Sequence, residues 1–153
     1  MARQVKMLKL EAVNVAEKWE TFRPEIEAAL PPISVESPDR MNNVLEQILI
    51  GNLECYAAYR DRDDGGKELL ALVTLTVGGQ LDSKHRDFII YTLTGSLTAF
   101  TEEEWFEGIE CVKDIGRSKG CSRILLYSND AGVLALLKRY GADTSYRVVT
   151  FPI

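Results

Sequence analysis

The residues that could do chemistry in this chain are few. The one histidine, His85, lies in a polar loop between Lys84 and Arg86. A histidine acting as general base needs a nucleophile and an orienting carboxylate. No motif supplies them, so His85 reads as a solvated loop residue. With no second histidine, a histidine-rich metal site is excluded and Ser-His-Asp hydrolysis has no support. Three consecutive carboxylates, Glu102, Glu103 and Glu104, could serve as acid/base groups or metal ligands. Helix capping explains them more simply, because acidic side chains complement the positive end of the helix dipole. Asp61, Asp63 and Asp64 with Gly65 and Gly66 resemble the start of a calcium loop, yet the twelfth position, where a glutamate should close it, is Leu72. This stretch reads as a hairpin turn, and no metal site is expected. Cys55, Cys111 and Cys121 form no CxxC pair and are odd in number, which argues against a disulfide framework or zinc site. Cys55 and Cys111 read as small core residues. Cys121 follows Gly120 at a strand start, with Arg123 its only basic neighbour.

Composition narrows the functional classes further. The chain has 153 residues, 46% hydrophobic and 27% charged, enough for one domain with a real core. A net charge of −5 with scattered lysines and arginines excludes a polybasic surface for nucleic acid or membrane. The N-terminal run has lysines inside a short mixed apolar stretch, so it reads as neither signal peptide nor membrane span. Unpaired cysteines fit a reducing compartment, and a cytoplasmic location is the expectation.

The elements that must position any site centre on residues 87–120. Phe88–Thr94 is a β-rich apolar run bounded by Asp87 and Gly95, the pattern of a central strand. Thr101 with Glu104 three residues later is a capping box opening a helix with the core stripe Trp105, Ile109, Val112 and Gly116, flanked by Phe106. Upstream, Val5–Leu10 reads as an edge strand protected by lysines. Asn14 with Glu17 reads as the cap of a helix carrying Val15, Trp19, Phe22, Ile26 and Leu30, kinked or broken near Phe22–Arg23 by Pro24. Ser37-Pro38 starts a second helix through Met41, Val44, Leu45, Ile48 and Leu49, stopped by Gly51. Leu53–Arg60 and Glu68–Val77, joined by an Asp/Gly turn, form an antiparallel hairpin. Downstream, Cys121–Ser128 is a buried strand, Asn129-Asp130 caps a helix ending at Gly141, and Ser145–Ile153 reads as a last strand with Pro152 at its end. The strands Phe88–Thr94 and Arg123–Tyr127 are expected to be parallel neighbours linked through the Thr101–Ser118 helix.

This order of elements resembles the GCN5-related N-acetyltransferase (GNAT) fold over nearly the whole chain. The resemblance implies an α/β (α+β) domain with a mixed, mostly antiparallel sheet of about six strands flanked by four helices. It is nearest at the C-terminal end, where the Ile124–Tyr127 strand is followed by Asp130, Val133, Leu137, Gly141 and Ala142 at the family's Asn, Ala, Tyr, Gly and Phe positions. The ending, with Ser122-Arg123-Ile124 and Asp143–Tyr146, is also similar in style to small phage and metagenomic proteins. The resemblance implies that acetyl-CoA, if used, lies against the backbone of Gly95, Ser96, Leu97, Thr98, Ala99, Phe100 and Thr101. Family members carry an Arg/Gln-x-x-Gly-x-Gly/Ala loop there, and this stretch has one glycine and no arginine. Tyr140, the one tyrosine of the last helix, is the candidate proton donor for a thiolate leaving group, although it precedes Gly141 directly where the family's tyrosine precedes it by four.

Together these residues point to a degenerate member that acts by binding a protein or small molecule, with no cofactor expected. The alternatives are an acetyl-CoA-dependent N-acetyltransferase with an atypical phosphate loop, and a structural or assembly protein dimerising through an edge strand at Ser145–Ile153.

Overall fold

The computed structural model describes residues 4–95 and 100–153. Its five strands form one sheet in sequence order: β1 (Val5–Leu10), β2 (Glu54–Asp61), β3 (Lys67–Gly79), β4 (Arg86–Leu93) and β5 (Arg123–Leu126). The first four pair antiparallel. β5 joins β4 in parallel, with Asp87 opposite Arg123 and Ile90 opposite Leu126. The helices are α1 (Ala12–Glu17), α2 (Trp19–Ala28), α3 (Arg40–Leu49), α4 (Glu102–Ser118) and α5 (Ala131–Arg139).

Alternation along the strands divides the apolar side chains between the two faces of the sheet. One face builds a core from Val5, Tyr56, Ala58, Val73, Leu75, Phe88 and Ile90, covered by Val112 of α4. The other holds Cys55 and Leu53 against Val15, Ile26, Met41, Val44 and Ile48 from α1 to α3. Gly116 permits the close approach of α4. A Cβ there would sit 3.0 Å from the Phe88 ring.

The parallel β4–β5 pair, the β2–β3 hairpin and the α4 stripe agree with the sequence reading. Five features differ. The sheet has five strands rather than six, because 145–153 pairs with nothing among the described residues and stays exposed. The helices number five rather than four among the described residues, because the first helical segment breaks at Lys18 rather than near Phe22–Arg23. Its cap is Glu11 and Asn14 is interior, with the Asn14 carbonyl accepting from the Lys18 amide. Pro24 is carried inside α2, and the earlier break lets Val15 and Ile26 reach the same core. Ser37 and Pro38 precede α3 by a turn instead of capping it, and Asp39 occupies the cap position. Leu49, read as part of the apolar stripe, is 52% exposed, since it falls on the outer side of α3's last turn.

Candidate functional site

The site is defined by how β4 and β5 part. Their pairing ends at Ile90 and Leu126, while β4 continues to Leu93. At that point the β3–β4 register slips: Thr92 lies opposite Thr74 and Ile90 opposite Leu75, which leaves Tyr91 as the extra residue of a bulge. A bulge bends and twists its strand. Here it falls where β4 leaves β5, so the sheet opens between Tyr91–Leu93 and the end of β5.

The lost ladder contacts at the bulge are made good by side chains. The Thr92 amide donates to Thr74 Oγ1 (3.1 Å), and the two threonine hydroxyls share a buried hydrogen bond of 2.6 Å. Thr94 then fixes the strand end, its amide donating to the Leu72 carbonyl (2.9 Å) and its Oγ1 accepting from the Leu72 amide (2.9 Å). Gly95 follows at φ 127°, and a Cβ on it would meet the Phe100 ring at 3.1 Å and the Leu70 carbonyl at 3.2 Å. Phe100 packs on Trp105 with ring centroids 4.8 Å apart. The chain therefore folds tightly back on β3 before α4 starts. Ser96, Leu97, Thr98 and Ala99, four of the seven residues implied for cofactor contact, lie outside the described residues.

The start of α4 is closed by its own side chains. The Glu104 amide donates to Thr101 Oγ1 (3.1 Å) and the Thr101 amide donates to Glu104 Oε1 (3.0 Å), the capping box expected from the sequence. The other Glu104 oxygen accepts from Arg60 Nη1, and Arg60 Nε also donates to Glu68 Oε2 (2.8 Å). Glu104 is only 5% exposed, so this network satisfies a buried carboxylate. Burial pushes its pKa up, but the Thr101 amide and the Arg60 guanidinium outweigh that and hold it below the usual carboxylate range. Glu102 pairs at the surface with Arg139 Nε (3.2 Å). Of the three glutamates, one is folded inward and neutralised and one is paired across to α5.

At the opposite end, Asp87 is buried and Arg123 Nε donates to its Oδ1 (2.7 Å). This guanidinium, helped by Gln80, lowers the Asp87 pKa despite burial. The β4–β5 seam is thus tied at its base and open at its top.

Tyr140 is brought elsewhere. Its ring stacks on Phe106 (4.2 Å between centroids, 8° apart), its hydroxyl donates to Glu110, and Lys113 lies 5.1 Å over the ring. These partners run along α4, away from Gly95, Phe100 and Thr101. His85 remains in an exposed loop, and Cys55 is buried with its thiol pushed up to about 11. Among the described residues no group of three or more His, Cys, Asp or Glu side chains is arranged to hold a metal, and no helix is long and apolar enough to cross a membrane.

Arg60, Asp87 and Tyr91 are the residues that sequence reasoning missed. Asp87 and Arg123 open two strands expected to run parallel side by side, and matching those starts would have placed them opposite each other. Nothing local marks Arg60 as a partner of Glu104 or Tyr91 as a bulge.

A pyrophosphate loop works by presenting free amides and positive potential at a helix start. Here Glu104 takes the Thr101 amide and Glu103 adds negative charge.

No protein-family model matches the sequence. No curated protein matches it either. Solved structures do. An aminoglycoside acetyltransferase from an uncultured soil metagenomic sample, solved with sisomicin, is similar at a TM-score of 0.66 and 14% identity over 98% of this chain and 95% of its own. The ribosomal-protein-alanine N-acetyltransferase of Brucella melitensis is similar at 0.64 and 13%, over 97% and 99% of the two chains. AAC(6')-Iy bound to a CoA-S-monomethyl-acetylneamine bisubstrate analog is similar at 0.64 and 15%, over 97% of each. The mixed α+β arrangement, a five-stranded and mostly antiparallel sheet packed with helices, is that of the GNAT acetyltransferase fold.

Proposed function

We propose that this chain is a degenerate acyl-CoA N-acyltransferase-fold protein that acts by binding a protein or small molecule at the opening between β4 and β5. The observation that carries this reading is the capping box of α4. Glu104 spends the Thr101 amide on an internal carboxylate, at the place where the fold offers amides to the cofactor's phosphates. Glu103 has no ion-pair partner among the described residues, and a like charge at ~4 Å costs on the order of 1–4 kcal/mol at a protein surface. That weakens a phosphate ligand from about fivefold to nearly a thousandfold. Calorimetric titration with acetyl-CoA at low and moderate salt is the test. Little or no heat at micromolar concentrations is expected, and the double variant Glu102→Gln/Glu103→Gln should strengthen any residual binding. Micromolar binding by the unaltered chain would overturn the reading.

A second reading, an acetyl-CoA-dependent N-acetyltransferase acting on an amine, is favoured by the parting of β4 and β5 beside Tyr91. Aminoglycoside and ribosomal-protein acetyltransferases of the same fold make amines the acceptors to try. Release of free CoA from acetyl-CoA with a panel of amine acceptors would establish it. Loss of that activity in Tyr140→Phe would move Tyr140 from a packing role to the proton donor.

A further inference from the structure

We propose that a cleft between α2 and the start of α3, separate from the opening between β4 and β5, binds a small zwitterion, an α-amino acid with an apolar side chain. The cleft is lined by Arg23 and Glu27 of α2, by Glu36, Ser37 and Pro38 ahead of α3, and by Arg40 and Met41 at its start. Its volume of about 410 Å³ falls within the roughly 300–1,000 Å³ of small-molecule sites. No residue of β4, β5 or α4 takes part, so this is a second site and not an extension of the first.

Arg40 is the residue whose surroundings are incomplete. Its side chain is only 20% exposed, yet it donates no hydrogen bond among the described residues. Arg60 and Arg123 are more exposed, at 31% and 47%, and each donates two. The ion-pair partner of Arg40, Glu27, stands 3.8 Å away, beyond hydrogen-bond length. Glu27 faces Arg23 Nε across the same 3.8 Å, so two guanidiniums share one carboxylate loosely. A guanidinium is a planar fork of five donors that matches a carboxylate bidentately. A shielded one without acceptors has given up water and gained nothing in exchange. Two cations against one anion also leave a positive charge over. Glu36 supplies the opposite charge: it lines the same cleft and pairs with nothing among the described residues. The Ser37 hydroxyl is equally unengaged, because Ser37 lies ahead of α3 and does not cap it. The four charged side chains sum to zero, which selects the ligand. A phosphate would meet Glu27 and Glu36 as well as the arginines, and a simple cation would meet both guanidiniums. A molecule with both charges on one carbon satisfies each: its carboxylate accepts from Arg40 and Arg23, and its ammonium donates to Glu36 and Ser37. Pro38 and Met41 form the apolar part of the wall, where an aliphatic or thioether side chain rests.

Titration of the full chain with L-methionine, followed by amide NMR, tests this. The non-proline amides of 36–41 should shift and saturate at millimolar ligand or below. N-acetyl-L-methionine lacks the ammonium and L-methioninamide lacks the carboxylate, so each should bind about tenfold more weakly. Arg40→Met should weaken L-methionine to the level of its amide and remove the preference between those two. Glu36→Gln should remove the preference between L-methionine and its N-acetyl form. Absence of shifts at 36–41 overturns the proposal, as do shifts confined to 91–93 or equal binding of all three ligands. Glu36 is exposed, so Glu36→Gln keeps the test open if Arg40→Met does not fold.

Discussion

Arg123 holds Asp87 through two contacts, Nε to Oδ1 at 2.7 Å and Nη2 to Oδ2 at 3.3 Å, directly across the seam between β4 and β5. The two residues sit at the first paired position of the parallel strands, while the seam comes apart beyond Ile90 and Leu126. A fork of this kind at the base lets the top open without β5 leaving the sheet. The pair's energetics are modest, because Arg123 is half-exposed and partly screened.

The Asp87 carboxyl has its pKa lowered on folding, chiefly by Arg123. A group whose folded pKa is depressed adds stability above its unfolded value, and that stability is lost as pH falls through the folded value. Urea unfolding should therefore show stability falling as pH drops below about 4. Arg123→Met should lower stability at pH 7, because it leaves the buried Asp87 carboxylate without its cation, and should flatten the acid slope. A variant with the same slope as the unaltered chain would show that Asp87 does not drive it.

Thr101→Ala removes one arm of the α4 capping box and should cost about 1 kcal/mol. Leu75→Ala, in the fully buried centre of the α4-side core, should cost roughly 2–5 kcal/mol. Leu49→Ala should change stability by no more than about 0.5 kcal/mol, because its side chain is outside the core. Equal losses at Leu75 and Leu49 in chemical denaturation would contradict the placement of α3.

Gly116→Ala tests the α4–β4 contact. Alanine gains about 1 kcal/mol of helix propensity over glycine, but its Cβ would press on the Phe88 ring at 3.0 Å. Overpacking of this sort costs about 1–3 kcal/mol, so net destabilisation is expected by thermal unfolding. A higher melting temperature would mean that α4 sits further from the sheet. Gly116→Ala with Phe88→Leu should recover part of the loss.

Cys55 should resist alkylation in the native protein. Its thiol is buried and pushed up to about 11, so the reactive thiolate is scarce near neutral pH. Iodoacetamide at pH 8 followed by peptide mass mapping should modify Cys55 only after denaturant is added. Rapid native labelling of Cys55 would show that the core beneath α3 opens readily.

The sequence carried its local signals plainly. Thr101 and Glu104 are three residues apart, and each satisfies the other within one turn, so the capping box was legible without any tertiary information. The Asp/Gly turn between β2 and β3 was legible for the same reason. What escaped was set by distant contacts. Arg60 and Glu104 meet only after β2 and α4 have packed, and the Tyr91 bulge reflects how β4 fits both β3 and β5. The break at Lys18 follows from Val15 and Ile26 sharing one core, which outweighs the local effect of Pro24. Residues 145–153 have the composition of a strand and were expected to be one, but they form none, because pattern alone does not supply a neighbouring edge.

The shortness of β5 has a consequence for how the molecule opens. The strand is 4 residues long and, among the described residues, is bonded to the sheet along one side only, whereas β3 is 13 residues long and paired on both. Opening free energies differ between such units of one fold. β5 and the α5 helix that follows it should behave as a detachable panel, exchanging their amide hydrogens through partial openings well below the energy of global unfolding. The β2–β3–β4 body should exchange only when the whole chain unfolds.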